Sequence, residues 1–148
     1  MRVLGLDYGE ARVGVAITDE LNITAQGLET IQRNNSDKIV LRRLDEIMAI
    51  YQSDTIVVGL PLTLKGTKSE RTIKTEEFIH KLKCKYNNLK IETVDERLTT
   101  VQAHSTMNLL GVKNSQKRGI VDTISAVYIL EVYINKKWFL KIYWIIIR

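Results

Sequence analysis

The segment at residues 54–60, DTIVVGL, constrains the fold more than any other part of the chain. Its centre is a run of four β-branched residues, and no charged residue alternates with them. A continuous run of this kind is typical of a strand that is covered on both faces, as in parallel sheets. The segment therefore predicts a central strand between two layers of helices.

Segments on either side supply the other elements of such a domain. Further strands are predicted at residues 2–7, 12–18, 27–31 and 89–95. Ser36 is a candidate N-cap for a first helix, a second amphipathic helix follows the loop at 61–68, and a last helix begins near Ser115. Before that last helix, a capping box of Thr99 and Gln102 predicts a helix that Gly111 ends.

This order of elements predicts an α/β domain with three layers and a five-stranded mixed sheet flanked by helices. The first, fourth and fifth strands are expected to be parallel, whereas the second and third form an antiparallel meander at one side. The expected sheet order is 3-2-1-4-5.

Composition limits the size and the setting of the protein. A chain of 148 residues suits one domain, and a net charge of +5 favours a polyanionic partner without proving one. Cys84 is the sole cysteine, which excludes an internal disulfide and points to the reducing cytoplasm. Met1 leads directly into a strand, so no secretory signal is expected.

The last segment, residues 136–148 (KKWFLKIYWIIIR), differs from the rest of the chain. It is apolar and aromatic, but it is shorter than the roughly 20 residues that cross a bilayer. We expect a packed terminal strand or a docked extension; the alternatives are an anchor at a membrane surface, an interface and a disordered tail. We therefore assign residues 1–135 to the domain and residues 136–148 to a C-terminal extension, with no membrane partner.

Carboxylates from three distant parts of the sequence are candidates for one site. Asp7 ends the first strand, Asp95 and Glu96 end the fifth, and Asp122 lies early in the last helix. Sites in open α/β sheets lie outside the carboxyl ends of the parallel strands, where the first and fifth strands both end. Alternatively, Asp7 caps the turn that follows it, and Asp122 is an ordinary exposed helix residue.

Carboxylates that converge in this way repel one another, so each needs a proton or a cation. Mg²⁺ and Mn²⁺ fit such a site, because they are hard cations held by carboxylates, water and phosphate. Two such ions can activate water and stabilise the leaving oxygen in phosphodiester cleavage.

Basic residues cluster near the same predicted edge and are candidates for contacts with a phosphate backbone. They come from the first hairpin, the loop GLPLTLKGTKSER, the end of the fifth strand and the start of the last helix: Arg12, Lys65, Lys68, Arg71, Arg97 and Lys117. A solvated surface would also carry such side chains.

Other kinds of site find little support in the sequence. His80 and His104 lie on different predicted helices without neighbouring ligands, so a zinc site is not expected. The chain contains no Gly-x-Ser-x-Gly elbow, Walker loop or Gly-x-Gly-x-x-Gly run, which argues against a serine hydrolase or a nucleotide-binding fold of those kinds. A phosphate-binding ATPase of the actin or sugar-kinase kind needs two such domains, and 148 residues supply one.

The motifs LGLDYGEARVGVA, GLPL…G, VDERLTT and KRGIVDTISAV, in this order, resemble the signatures of the YqgF/RuvX family. Its members are described as pre-16S rRNA nucleases and as Holliday junction resolvase-like proteins. The resemblance extends to about Asn135. It implies a ribonuclease H-like fold and cleavage of phosphodiester bonds with Mg²⁺ or Mn²⁺, and it assigns the metal-binding, catalytic positions to Asp7, Glu96 and Asp122.

The resemblance also implies a cytoplasmic role in maturing the 5′ end of the small-subunit rRNA, with structured RNA as the partner. Two alternatives stay open: a resolvase that acts on branched DNA, and a non-catalytic RNA-binding antitermination factor that would not need Asp7. The protein is expected to be a monomer or a homodimer. Glu96 is favoured over Asp95 as a ligand, although its strand would lie two strand spacings from Asp7, or roughly 9 to 10 Å.

Overall fold

The computed structural model describes residues 1–97 and 114–147, and between residues 114 and 122 it describes the backbone alone. Five strands and three helices occur in these ranges. The strands are β1 (Arg2–Tyr8), β2 (Arg12–Thr18), β3 (Ala25–Gln32), β4 (Ser53–Leu60) and β5 (Lys90–Asp95). The helices are α1 (Asp37–Ile50), α2 (Glu70–Lys85) and α3 (Asn114–Ile147).

The strands form one mixed sheet in the order β3-β2-β1-β4-β5. β1 is parallel to β4, and β4 is parallel to β5, whereas β1, β2 and β3 pair in an antiparallel meander. The predicted order and strand directions are confirmed. All three parallel strands therefore end at the same edge of the sheet.

β4 lies at the centre of this arrangement, between β1 and β5. Ile56 and Val58 point into a core beneath α1 and α2, and Val57 points into a second core beneath α3. All three side chains are fully buried. The two-sided burial predicted from the continuous run at residues 54–60 is confirmed, and the fold has the three layers expected of it.

The helices α1 and α2 cover one face of the sheet through apolar residues at helical spacing. α1 buries Val40, Leu44 and Ile47, and Ser36 precedes it without donating or accepting a side-chain cap hydrogen bond. α2 begins with a capping box in which Ser69 and Thr72 bond each other's backbone amides. The helix predicted between Thr99 and Gly111 lies outside the described residues.

α3 covers the opposite face and packs close to the sheet where the strands carry glycine. A Cβ atom on Gly5 would lie 3.0 Å from the Ala126 carbonyl oxygen and 2.5 Å from Leu130 Cγ. Nearer the start of α3, the hydroxyls of Thr123 and Thr30 share a hydrogen bond of 3.0 Å. α3 therefore starts near the carboxyl edge of the parallel strands and runs back across the sheet.

The expectation of a terminal strand at residues 136–148 is wrong for residues 136–147, because α3 continues as a helix to Ile147. Contacts one turn apart favour the helix: the rings of Phe139 and Tyr143 stack at 6.5 Å, and Lys141 lies 5.7 Å from the Trp138 ring. Every residue from 135 to 147 is exposed, so this part of α3 contributes no buried side chain to the core.

The exposed end of α3 is short as an apolar segment, and lysines interrupt it. Across residues 1–97 and 114–147, no helix is both long enough and apolar enough to cross a membrane.

Candidate active site

Asp7 lies at the carboxyl end of β1, directly beside the end of β4. The paired register of these parallel strands ends with Leu6 opposite Val58, and Asp7 and Gly59 each come one residue later. On the other side of β4, Gly59 pairs with Val94 of β5. Asp7, Gly59 and Val94 therefore form a row across three adjacent strands at the edge of the sheet.

Glu96 follows β5 by one residue, and its side chain turns back over β4. Its amide donates a hydrogen bond to the Leu60 carbonyl at 3.3 Å, which holds the backbone against the end of β4. A Cβ atom on Gly59 would overlap the Glu96 Oε2 atom. The Glu96 carboxyl therefore lies directly above Gly59, one strand spacing from Asp7 rather than two.

The carboxyl of Glu96 is in an environment that opposes its ionisation. Glu96 is 7% exposed, and burial raises the pKa of its carboxyl. The nearby positive charge of Arg71 and a hydrogen bond with Asp7 act in the opposite direction but are weaker. A hydrogen bond between two carboxyl groups requires a proton on one of them, so the pair takes up either a proton or a cation.

Asp95, the other candidate at the end of β5, points elsewhere. Its carboxylate accepts hydrogen bonds from Arg97 Nε at 2.7 Å and from the Arg97 amide at 3.0 Å. The side-chain bond to Arg97 is the main reason that the pKa of Asp95 lies below its usual value. Asp95 therefore has a partner of its own, while Glu96 is directed toward Asp7.

Asp122 and Lys117 lie in the first part of α3, and their side chains are among those that are not described. The backbone of α3 nevertheless places Asp122 one turn before Ala126, which contacts Gly5. The next residue, Thr123, shares a hydrogen bond with Thr30 of β3, and Thr30 pairs with Gly14, the partner of Asp7 in β2. The backbone of Asp122 is therefore adjacent to a residue that lies over β3, in the row of the sheet that contains Asp7.

Metal-ligating side chains were predicted to meet at this edge in a group of three. Among the side chains that the structure describes, no three His, Cys, Asp or Glu residues form a group that could hold a metal ion. Asp7 and Glu96 form a pair, and the third predicted ligand, Asp122, is outside that set. The oxygen donors of the pair suit a hard divalent cation.

Of the predicted nucleic-acid contacts, Arg71 lies at the carboxyl pair. Its guanidinium donates a long hydrogen bond of 3.5 Å to the carbonyl of Tyr8, the residue after Asp7. Arg12 begins β2 at the same edge, and strand alternation places it on the face of Gly14, which pairs with Asp7.

The other predicted basic residues surround the edge but have different surroundings. Lys65 is exposed near the tip of a tight turn, in which the Gly66 amide donates to the Thr63 carbonyl at 2.8 Å. Lys68 pairs with Glu76 at 2.9 Å. Arg97 pairs with Asp95 and lies against Gly66, which has a φ of +80°. The loop and the end of β5 therefore touch each other beside the site.

A cleft of about 510 Å³ opens beside Tyr8, on the side of α1 and α2. Tyr8 stacks on Phe78 at 4.3 Å and donates a hydrogen bond of 2.6 Å to Asp37, and burial together with Asp37 raises its pKa to about 12. The charged side chains that line the cleft balance in number: Arg33, Arg71, Lys74 and Lys81 against Glu10, Asp37, Glu70 and Glu77. The cleft is therefore not a strongly cationic groove.

Reasoning from the sequence missed the part that Gly59 and Ile129 play at the site. Both contact the space that the Glu96 carboxyl occupies. A signal for Gly59 was present, because a glycine inside a β-branched strand often marks a close approach by another group. No sequence signal indicated Ile129.

Comparison with known proteins places the chain in a family. The family model for RuvX, described as a Holliday junction resolvase, matches residues 1–136. A relative from Ruminiclostridium cellulolyticum with the name "Putative pre-16S rRNA nuclease" is 52% identical over 136 residues, which cover 92% of this chain and 95% of the relative. A relative from Acetivibrio thermocellus with the same name is 45% identical over 137 residues, which cover 93% of this chain and 97% of the relative. The chain belongs to the RuvX family.

RuvX proteins are nucleases, so this protein is a hydrolase that acts on phosphodiester bonds. Nucleases of this kind use divalent cations in general. The RuvX match ends at residue 136, so nearly all of the exposed, apolar end of α3 lies beyond it.

Solved structures with the same architecture support the ribonuclease H-like fold predicted for this RuvX chain. Thermus thermophilus RuvC in complex with a Holliday junction substrate superposes with a TM-score of 0.54 at 14% identity, covering 93% of this chain and 96% of that one. The Holliday junction resolvase of fowlpox virus gives a TM-score of 0.55 at 16% identity, with 93% and 99% covered.

Proposed function

We propose that the protein is a divalent-metal-dependent endonuclease that cleaves structured RNA during maturation of the 5′ end of pre-16S rRNA in the cytoplasm. The observation that carries the proposal is the carboxyl pair of the half-buried Asp7 and the buried Glu96 at the carboxyl edge of the parallel strands. An apolar side chain in place of Glu96 would give a more stable fold, because a buried charge lowers stability unless it is paired or neutralised. The substrate in this proposal, pre-16S rRNA, is taken from the names of the relatives.

Asp7, Glu96 and Asp122 would hold Mg²⁺ or Mn²⁺. Their carboxylate oxygens match the ligands these cations prefer, and the pair of Asp7 and Glu96 gains a counter-charge when the cation replaces the shared proton. When bound, the cation supplies activation of water and neutralisation of the developing charge in phosphodiester hydrolysis.

The basic side chains at the edge have the task of orienting the RNA. Arg71 lies between the carboxyl pair and the 510 Å³ cleft, so its guanidinium can bind a phosphate next to the one that is cleaved. Arg12 begins β2 at the same edge, Lys65 is exposed in the loop that follows β4, and Lys117 belongs to the start of α3. These contacts carry affinity, whereas cleavage depends on the carboxylates.

The test is cleavage of two labelled substrates side by side, a precursor rRNA that spans the mature 5′ end and a four-way DNA junction. Each is incubated with Mg²⁺, with Mn²⁺ or with EDTA. Cleavage of the rRNA precursor alone, dependent on the metal, supports the proposal. Cleavage of the junction at paired positions would instead identify a DNA resolvase, for which a dimer with two sites is expected. RNA binding with no cleavage under any condition would contradict a nuclease.

A further inference from the structure

We propose that Gly59 is a positioning residue of the active site, because its missing side chain leaves open the space in which the Glu96 carboxyl reaches from β5 across β4 to Asp7. The inference rests on the proposed function, since it concerns how the same carboxylates are assembled. It assigns a role to a residue that neither binds a phosphate nor holds a cation.

The distance between β1 and β5 creates the need for such a residue. Two strand spacings separate them, roughly 9 to 10 Å, and the strand between them is β4. A glutamate that starts at the end of β5 can cross this distance only by lying flat on β4. Gly59 is the residue of β4 over which it lies, because a Cβ atom there would overlap Glu96 Oε2.

A need for an unusual backbone conformation does not explain this glycine. In the described part of the chain, Gly66 is the glycine with a positive φ, whereas Gly59 has a conformation that any residue can adopt. Gly59 also pairs with Val94 in the regular register of β4 and β5. A glycine is therefore needed at position 59 because it leaves space above β4, and not because it makes the backbone flexible.

Ile129 of α3 fills the rest of this space. Its Cδ1 atom would also overlap a Cβ on Gly59, and its Cγ1 atom would lie 3.1 Å away. The central strand cannot shift, because β4 pairs with neighbours on both sides. A methyl group at Gly59 would therefore displace the two mobile side-chain ends, the carboxyl of Glu96 and the terminus of Ile129, while the sheet stays in place.

The first experiment compares Gly59→Ala with the wild-type protein in metal-dependent cleavage of the precursor rRNA. We expect kcat to fall about 100-fold, since a displacement of about 1 Å at a catalytic group has an effect of this size. KM for the RNA should stay within about threefold, because the basic contacts are untouched. The Mn²⁺ concentration that gives half-maximal stabilisation in a thermal melt should rise, which reports on the site without any turnover.

Two further variants separate positioning from packing. Gly59→Ala/Ile129→Val removes the overlap with Ile129 Cδ1, so it should recover melting temperature but not kcat. Gly5→Ala adds a methyl group against the same helix, 2.5 Å from Leu130 Cγ, where the three nearest described atoms belong to Leu130 and Ala126. It should lower the melting temperature while keeping most of kcat and the whole response to Mn²⁺.

A double-mutant cycle tests the contact itself. Gly59→Ala should destabilise the wild-type protein more than it destabilises Glu96→Ala, because in the second background no carboxyl occupies the space. Recovery of kcat by Ile129→Val would overturn the inference in favour of packing, and so would an equal destabilisation in both backgrounds. A wild-type protein that neither cleaves nor responds to Mn²⁺ would overturn the proposed function instead, whereas the cycle in stability would still show whether Gly59 makes room for Glu96.

Discussion

Two regions of the molecule differ from the usual distribution of residues in a folded protein. The active-site edge buries an ionisable side chain, whereas the end of α3 exposes apolar side chains. At the edge, the ionisable Glu96 is 7% exposed, whereas at the end of α3 the apolar Ile146 is 76% exposed. At the edge the structure shows compensation: a hydrogen bond to Asp7, the charge of Arg71 and the open space at Gly59. At the end of α3, the apolar side chains from Phe139 to Ile147 are between 45% and 76% exposed.

Only the first of these departures from the usual distribution is part of the proposed nuclease site. The buried carboxyl of Glu96 lowers the stability of the fold in exchange for a function. Mutating it should therefore raise stability and lower activity. An uncovered apolar surface outside the family match should affect solubility and association but leave catalysis unchanged.

The largest expected effect is the loss of cleavage when the carboxyl pair is broken. Asp7→Asn should reduce metal-dependent cleavage to below about one-thousandth of wild type, because it removes a proposed metal ligand and not only a substrate contact. Far-UV circular dichroism and RNA binding should remain near wild type. An unfolded variant, or one with normal turnover, would show that Asp7 has a different role.

The neighbouring carboxylates at the end of β5 provide a matched pair for the same measurement. Glu96→Gln should lose cleavage as Asp7→Asn does, whereas Asp95→Asn should keep most of it, because Asp95 is paired with Arg97. Both substitutions change a carboxylate to an amide of the same shape. If Asp95→Asn were the inactive variant, the carboxyl above Gly59 would not be the ligand.

An effect of intermediate size is expected for the basic residues. Arg71→Ala should weaken RNA binding by roughly tenfold and reduce the slope of log affinity against log salt by about one unit, as expected for one lost phosphate contact. Lys68→Ala is the matched control with a smaller effect, because Lys68 already pairs with Glu76. An unchanged salt slope for Arg71→Ala would mean that its guanidinium serves Glu96 alone.

A smaller effect, of a few degrees, is expected in thermal stability without metal. The folded pKa of Glu96 is raised, so its ionisation destabilises the fold, and this penalty appears as the pH rises through that pKa. In EDTA at pH 8, Glu96→Gln should melt about 2 to 8 °C above wild type. Near pH 4 the difference should become much smaller, because the carboxyl is then mostly protonated in both states.

The same variant also tests the metal. Millimolar Mn²⁺ should raise the melting temperature of wild type by mass action, and that of Glu96→Gln by less. A gain from Glu96→Gln that grew toward low pH would contradict the raised pKa.

The smallest effect on activity is expected at the end of α3. Ile146→Lys should leave cleavage within about twofold of wild type and reduce light scattering at high protein concentration, because it breaks an exposed apolar surface. The matched control is Leu130→Lys in the packed part of the same helix. Leu130 is fully buried, so this change should unfold the protein. Loss of cleavage by a folded Ile146→Lys protein would connect the end of α3 to the site.

The sequence by itself determined the sheet and the candidate residues. The continuous apolar run at residues 54–60 identified a strand covered on both faces, and the positions of the helices between strands required a parallel arrangement of β1, β4 and β5. These features depend on the burial pattern of single elements, which the order of residues records directly. The same order places Asp7 and the end of β5 at one edge.

The tertiary structure alone decided how Glu96 reaches Asp7 and what the last residues form. The path of the Glu96 side chain depends on Gly59 and Ile129, which are distant in sequence and meet it only when β4 and α3 are packed. For residues 136–147, a short run that is apolar on nearly all sides has no periodicity to distinguish strand from helix. Continuation of α3 through contacts one turn apart, such as Phe139 with Tyr143, decided it.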